Sequence, residues 1–134
     1  MRAERLAVAL PVDHRLAHRT VLRLRELRDD PLVVQRPEAE ASTTGIYLEA
    51  CAEAGFAARV AQHVTSLQGL LGFVAAGLGW AFVAQSLVTS LERAGVAFVS
   101  LRGTSARLPT VLAWPEGNLS ASARLVVDAA RPIA

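Results

Sequence analysis

The sequence predicts an α/β three-layer sandwich with a mostly parallel sheet, because short apolar runs alternate along the chain with segments of helical periodicity. The clearest strand is Leu-Ala-Val-Ala-Leu at residues 6–10, which is closed by Pro11. An unbroken apolar run of this length is typical of a strand that is covered on both faces. Further strands are predicted at residues 32–34, 80–83, 96–101 and 108–114, and an imperfect apolar and polar alternation predicts one with a wetter face at residues 56–64.

Helices are predicted between these strands from apolar residues that recur at helical spacing. One spans residues 20–27 and is stopped by Asp29, Asp30 and Pro31. Another begins near Ser42 or Thr43, where a hydroxyl group can cap it, and ends at Gly55. A third begins at Thr65 or Ser66 and runs to Gly77, and two more are predicted at residues 86–94 and 120–130.

Length and composition indicate one folded domain of 134 residues, with 52% apolar and 19% charged residues. We find neither an apolar run long enough to span a membrane nor a cleavable leader, and we expect a cytoplasmic protein with no membrane partner. All basic residues are arginines, interleaved with acidic residues between Arg2 and Arg28, and the net charge is only +2. This balance indicates a solvated surface more than a nucleic-acid groove.

The sequence contains no convincing motif for catalysis, for a cofactor or for a metal. The pair Gly77 and Gly79 follows a helix, the wrong order for a dinucleotide loop, and more plausibly serves a helix cap and a sharp turn. His14 and His18 lie in a predicted loop with no third ligand nearby in sequence. The single cysteine, Cys51, fits a small buried group. We expect no catalytic residue, no cofactor and no metal, and we classify the chain as not an enzyme.

Several local strings, in the same order as the predicted elements, resemble the effector-binding domain of LysR-type transcription regulators. They are Val8-Ala9-Leu10-Pro11 with Asp13-His14-Arg15-Leu16-Ala17, then Leu24-Arg25-Glu26-Leu27 before Asp30-Pro31-Leu32-Val33, then Cys51-Ala52-Glu53-Ala54-Gly55-Phe56, and Val74-Ala75-Ala76-Gly77-Leu78-Gly79-Trp80-Ala81-Phe82-Val83. The chain departs from the family where Arg15 and Ala84 replace the usual prolines.

The resemblance implies the two-lobed fold of periplasmic binding proteins, type 2. Residues 6–101 would form lobe two with both crossover strands, and residues 108–134 the returning strand and helix of lobe one. The winged helix-turn-helix that binds DNA in the family is missing, so the chain resembles a fragment truncated at its N-terminus. The implied function is sensing of a small effector within a regulator that pairs with itself.

Candidate ligand-binding residues follow from the fold, because ligands of open α/β sheets bind beyond the carboxyl ends of the strands. Hydroxyl groups, helix N–H groups and a guanidinium there suit a carboxylate-like anion. Two simpler interpretations stay open, namely that the hydroxyl groups only cap helices and that the arginine is only solvated. The candidates are Gln35, Arg36, Ser42, Thr43, Thr65 and Ser66.

Two other functions remain as alternatives. In the first, the chain is a regulatory or degenerate fragment that binds no ligand and acts through dimerisation. In the second, it is an enzyme built on the same fold, such as a dehydratase of aromatic amino-acid synthesis. No catalytic threonine motif of that enzyme class is visible. In either of the non-enzymatic cases, exposed sheet edges would favour a homo-oligomer.

Overall fold

The computed structural model describes residues 3–35 and 44–109. Within these ranges, no helix is both long enough and apolar enough to cross a bilayer. The helices are a 3-10 helix (Leu24–Leu27), α1 (Thr44–Glu53), α2 (Leu67–Ala75) and the short α3 (Leu87–Ser90). The strands are β1 (Ala3–Pro11), β2 (Val21–Arg23), β3 (Leu32–Gln35), β4 (Val60–Val64), β5 (Ala81–Ala84), β6 (Val96–Arg102) and β7 (Arg107–Pro109).

The central strand of the sheet is β1, in the order β2-β6-β1-β5, and β7 pairs with the first residues of β1. All three ladders of β1 are antiparallel, whereas β2 runs parallel to β6. A second sheet consists of the parallel pair β3 and β4. The prediction of a mostly parallel sheet is therefore confirmed only in part, because the central strand runs against its neighbours.

The two sheets meet at Trp80, immediately before β5. The backbone N–H of Val33 donates to the Trp80 carbonyl at 2.8 Å, and the Trp80 N–H donates to the Pro31 carbonyl at 3.0 Å. These bonds form a parallel bridge between Leu32 and Trp80. As a result, β3 continues the main sheet beyond β5 and β4 becomes its outer edge.

Helices cover the sheet on both faces, which confirms the predicted three-layer α/β class. In β1 the larger side chains Leu6, Val8 and Leu10 belong to the core that includes α1. The alternate residues Ala7 and Ala9 belong to the core that includes α2. All five are at most 1% exposed, as the apolar run of β1 predicts.

Most predicted elements are present among the described residues. The strands around 6–10, 32–34, 80–83 and 96–101 are confirmed, and the strand predicted for 56–64 begins only at Val60. Gly55 and Gly77 have φ angles of 97° and 80°, which confirms the predicted left-handed helix ends. Residues 110–114 of the last predicted strand, the helix predicted for 120–130 and the ends of the chain lie outside the described residues.

The helix predicted for residues 20–27 is wrong. Val21–Arg23 is a strand that pairs with β6, and only Leu24–Leu27 is helical, as a single 3-10 turn. Apolar residues at every third position fit a 3-10 helix, which has three residues per turn, as well as one edge of an α-helix. The helix predicted for 86–94 is correct in place but ends at Ser90, because Leu91 has extended backbone angles.

We expect Gly79→Ala to destabilise the fold by about 1–3 kcal/mol. A Cβ atom at this position lies 2.7 Å from the Pro31 carbonyl oxygen and 2.9 Å from Cγ2 of Val33, so the junction between the sheets must open. Urea unfolding measures the effect. The matched control is Gly45→Ala in α1, where the added atom meets nothing within 4 Å and a gain of up to about 1 kcal/mol is expected. Equal stability of both variants contradicts the prediction.

Cys51 confirms its expected place as a buried free thiol on α1, and burial raises the pKa of this thiol to about 11. The folded state therefore favours the protonated thiol. This contribution is complete below the ordinary pKa of about 9.0 and is lost as the pH rises from 9 towards 11. We expect the free energy of unfolding in urea to fall between pH 8 and pH 10.5, and to fall less in Cys51→Ala. Parallel pH profiles for the two proteins contradict this assignment.

Candidate functional site

The carboxyl ends of β3 and β4 lie side by side, because the parallel ladder places Gln35 opposite Val64. Gln35 is half-buried, and Thr65 and Ser66 follow Val64 directly and are exposed. Three of the six predicted ligand residues are therefore brought to one edge of the sheet. Within the described ranges, the Gln35 amide and the Thr65 hydroxyl form no hydrogen bond to another residue of the chain.

Ser66 is the N-cap of α2. Its φ and ψ angles are −141° and 158°, and its Oγ accepts a hydrogen bond of 2.9 Å from the backbone N–H of Gly69. The predicted capping role is confirmed. The first N–H groups of α2, at Leu67 and Gln68, have no acceptor within the helix. This end of α2 also carries the positive end of the helix dipole.

The other predicted residues of the site, Arg36, Ser42 and Thr43, lie outside the described residues. Helix α1 is described from Thr44 onward and packs on the face of the sheet opposite α2. Tyr47 in its second turn stacks on Phe82 of β5, with ring centroids 4.5 Å apart and an angle of 11° between the planes. The ligand role of all six residues stays a prediction.

A hollow of about 270 Å³ runs along β4 and ends at Thr65. It is lined by backbone and side chains of residues 61–65, whose exposed members are Ala61, Gln62, His63 and Thr65. Carboxylates are absent from this lining. Neutral donors beside a helix N-terminus suit a small anion more than a cation.

His14 belongs to a cluster of charged side chains that the sequence analysis missed. Its Nδ1 accepts a hydrogen bond of 3.0 Å from the backbone N–H of Leu16, and its Nε2 lies 3.1 Å from both Oδ2 of Asp30 and Nη1 of Arg15. Arg15 donates to the same oxygen at 2.9 Å and to the Glu26 carbonyl at 2.7 Å. The cluster fastens the loop after β1 to the segment before β3. Sequence spacing gives no signal for this contact, because His14 and Asp30 are 16 positions apart.

Comparison with known proteins identifies the family. The family model for the LysR substrate binding domain matches residues 1–133, and the chain belongs to this family. The HTH-type transcriptional regulator TtuA of Agrobacterium vitis is 36% identical over 111 residues, which are 80% of this chain and 36% of TtuA. The chain spans less than half the length of the curated relatives it matches.

Solved structures agree in fold. The BenM effector binding domain with its effector benzoate has a TM-score of 0.65 and 24% identity, and covers 79% of this chain and 48% of its own. The effector binding domain of QuiR in complex with shikimate has a TM-score of 0.66 and 17% identity, and covers 78% of this chain and 48% of its own. At these identities the match shows a shared fold. The fold is that of LysR effector-binding domains.

We expect Ser66→Ala to lower the free energy of unfolding by about 1 kcal/mol, because the Gly69 N–H loses its acceptor. Urea unfolding followed by circular dichroism measures the change. Ser66→Asp keeps a capping oxygen and is the control, with an expected change within about 0.5 kcal/mol of the wild type. A Ser66→Ala protein as stable as the wild type is the result that removes the capping role.

Proposed function

We propose that this chain senses a small carboxylate-like anion, which binds beyond the carboxyl ends of β3 and β4. The observation that carries the proposal is the register of β3 and β4, which sets Gln35 beside the N-terminus of α2. Family membership supports it, since one neighbour of the same fold holds benzoate and another holds shikimate, both of which are carboxylates.

The chemistry of this edge supports an anion. The Thr65 hydroxyl and the first N–H groups of α2 donate hydrogen bonds, and the helix dipole favours negative charge at the same place. The Gln35 amide adds two N–H donors from the neighbouring strand. In the proposal, Ser42, Thr43 and Arg36 complete the site, with the Arg36 guanidinium forming a paired hydrogen bond to the carboxylate.

We also propose that ligand binding has a regulatory effect in a whole regulator. We place residues 6–101 in the second lobe of the effector domain and assign residues 108–134 to the return into the first. A ligand that binds between the lobes favours one arrangement of them, and in a whole regulator this shifts how its subunits hold DNA. The family is one of transcriptional regulators, and we propose a sensing role without enzymatic activity.

Self-association is part of the same proposal. Strand β4 forms the outer edge of the sheet, with unpaired backbone groups on one side among the described strands. Leu67, at the start of α2, and Leu78, beyond its end, are 36% and 53% exposed. Unpaired strand edges and exposed leucines are features through which a second copy of the chain can pack.

The test is calorimetric titration of the 134-residue chain with benzoate and shikimate. We expect saturable heat, and we expect Thr65→Val to weaken binding about two- to tenfold because one hydrogen-bond donor is lost. Thr89→Val is the matched control, since Thr89 is an exposed threonine in α3, and should leave binding unchanged.

Benzamide, which has the ring of benzoate without its charge, should bind more weakly than benzoate. Absence of saturable heat with both carboxylates, or equal binding of benzoate and benzamide, contradicts the proposed anion site.

A further inference from the structure

The edge of the sheet opposite β4 carries an unusual pair of like charges. Arg23, the last residue of β2, is the register partner of Arg102 at the end of β6. Neighbouring strands are about 4.8 Å apart and register partners project from the same face, so two guanidinium groups leave the sheet side by side. Both arginines are exposed. Like charges at paired positions destabilise a sheet, and stability alone does not account for this choice of residues.

A hollow of about 660 Å³ lies beside this pair. Its acidic lining consists of Glu26 and Asp29, so the lining has a formal excess of four positive charges. A volume of this size is within the range that small-molecule sites occupy. The hollow is lined by six arginines, namely Arg15, Arg19, Arg23, Arg25, Arg28 and Arg102.

Three of these arginines already have carboxylate partners. Arg15 contacts Asp30 at 2.9 Å, Arg19 contacts Glu26 at 3.1 Å, and Arg28 lies 3.8 Å from Asp29. Arg23, Arg25 and Arg102 form no ion pair within residues 3–35 and 44–109. The arginines without an ion pair therefore include both register partners, Arg23 and Arg102.

The unpaired arginines also lie between two hollows. A second hollow of about 190 Å³ is lined by the same Arg23, Arg25 and Arg102, together with residues of α1 and the turn after β6. Arg23, Arg25 and Arg102 are the residues that the two hollows share, and Glu53 of α1 is the acidic residue in the lining of the second hollow. The pKa of the Glu26 carboxyl is lowered, first by the hydrogen bond from the backbone N–H of Arg23 and then by the Arg19 guanidinium.

The geometry points to a second anion site, in which Arg23, Arg25 and Arg102 bind a small molecule that carries several phosphate or carboxylate groups. A guanidinium offers paired donors that match these groups, and three of them with no carboxylate of their own can each take one charged group. A ligand with several charges also removes the repulsion between Arg23 and Arg102. The site is separate from the crevice at β3 and β4, because β2 lies at the other end of the strand order.

The experiment is titration of the 134-residue chain with tripolyphosphate and, separately, with citrate at low ionic strength, followed by calorimetry and thermal unfolding. We expect saturable binding of at least one probe and a raised Tm in its presence. The double variant Arg23→Gln/Arg102→Gln should bind that probe at least about tenfold more weakly. Tripolyphosphate and citrate separate a phosphate ligand from a carboxylate ligand.

Arg93→Gln is the matched control, because Arg93 is an exposed arginine in the loop before β6, outside the lining of both hollows. It should bind the probe as the wild type does. Without probe, the double variant should have a Tm equal to or above that of the wild type, since the repulsion is gone. This result shows that the variant is folded and that any lost binding reflects the missing charges.

Three results overturn the site: no saturable binding of either probe, the same binding in the double variant as in the wild type, or binding of a short DNA duplex without binding of tripolyphosphate. The last result assigns the arginines to nucleic acid. Benzoate binding should be equal in the double variant and the wild type. If the chain binds no benzoate, the anion site proposed at β3 and β4 is wrong, but the test of the arginine site is unaffected.

Discussion

The close contact of β3 with Trp80 is the constraint on which the rest of the structure depends. Two backbone hydrogen bonds on either side of Leu32 join the strand to Trp80, and the indole Nε1 donates to the Asp30 carbonyl at 3.2 Å. Gly79 makes the approach possible, since any Cβ there meets the Pro31 carbonyl. Trp80 is 1% exposed, so these bonds form away from water, where an unmade hydrogen bond is costly.

This junction sets the relative directions of β3, β4 and β5. Because β3 is parallel to the start of β5 and β4 is parallel to β3, the carboxyl ends of all three point to one side of the sheet. Trp80 also packs edge-on against Phe82 at 4.8 Å, and Phe82 stacks on Tyr47 of α1. The aromatic contacts fix α1 on one face while Val74 and its neighbours hold α2 on the other. The position of the α2 N-terminus beside Gln35 is a consequence.

The sequence predicts local features of this fold well and long-range ones poorly. The apolar run of β1, the Ser66 cap and the glycines that end α1 and α2 depend on residues close in the chain, and each is found as predicted. Strand direction does not depend on such residues, which is why the antiparallel ladders of β1 were not predicted. The prediction of a helix at Val21 is wrong for the same reason. The apolar spacing of this segment fits a helix, but pairing with β6 overrides local preference.

The same distinction between local and long-range features applies to the candidate binding residues. Thr65 and Ser66 are predictable because a hydroxyl pair before an apolar helical segment is a local pattern, and Gln35 because it ends an apolar strand. The arginine edge is not predictable in this way, since Arg23 and Arg102 are far apart in sequence and become neighbours only through the β2–β6 ladder.

That ladder tolerates the repulsion because β6 is held on its other side by five register pairs with β1, from Ala7 to Pro11. A sheet anchored through its buried central strand can carry an unfavourable charge pair at its rim, and an anion bound between the two side chains would offset their repulsion.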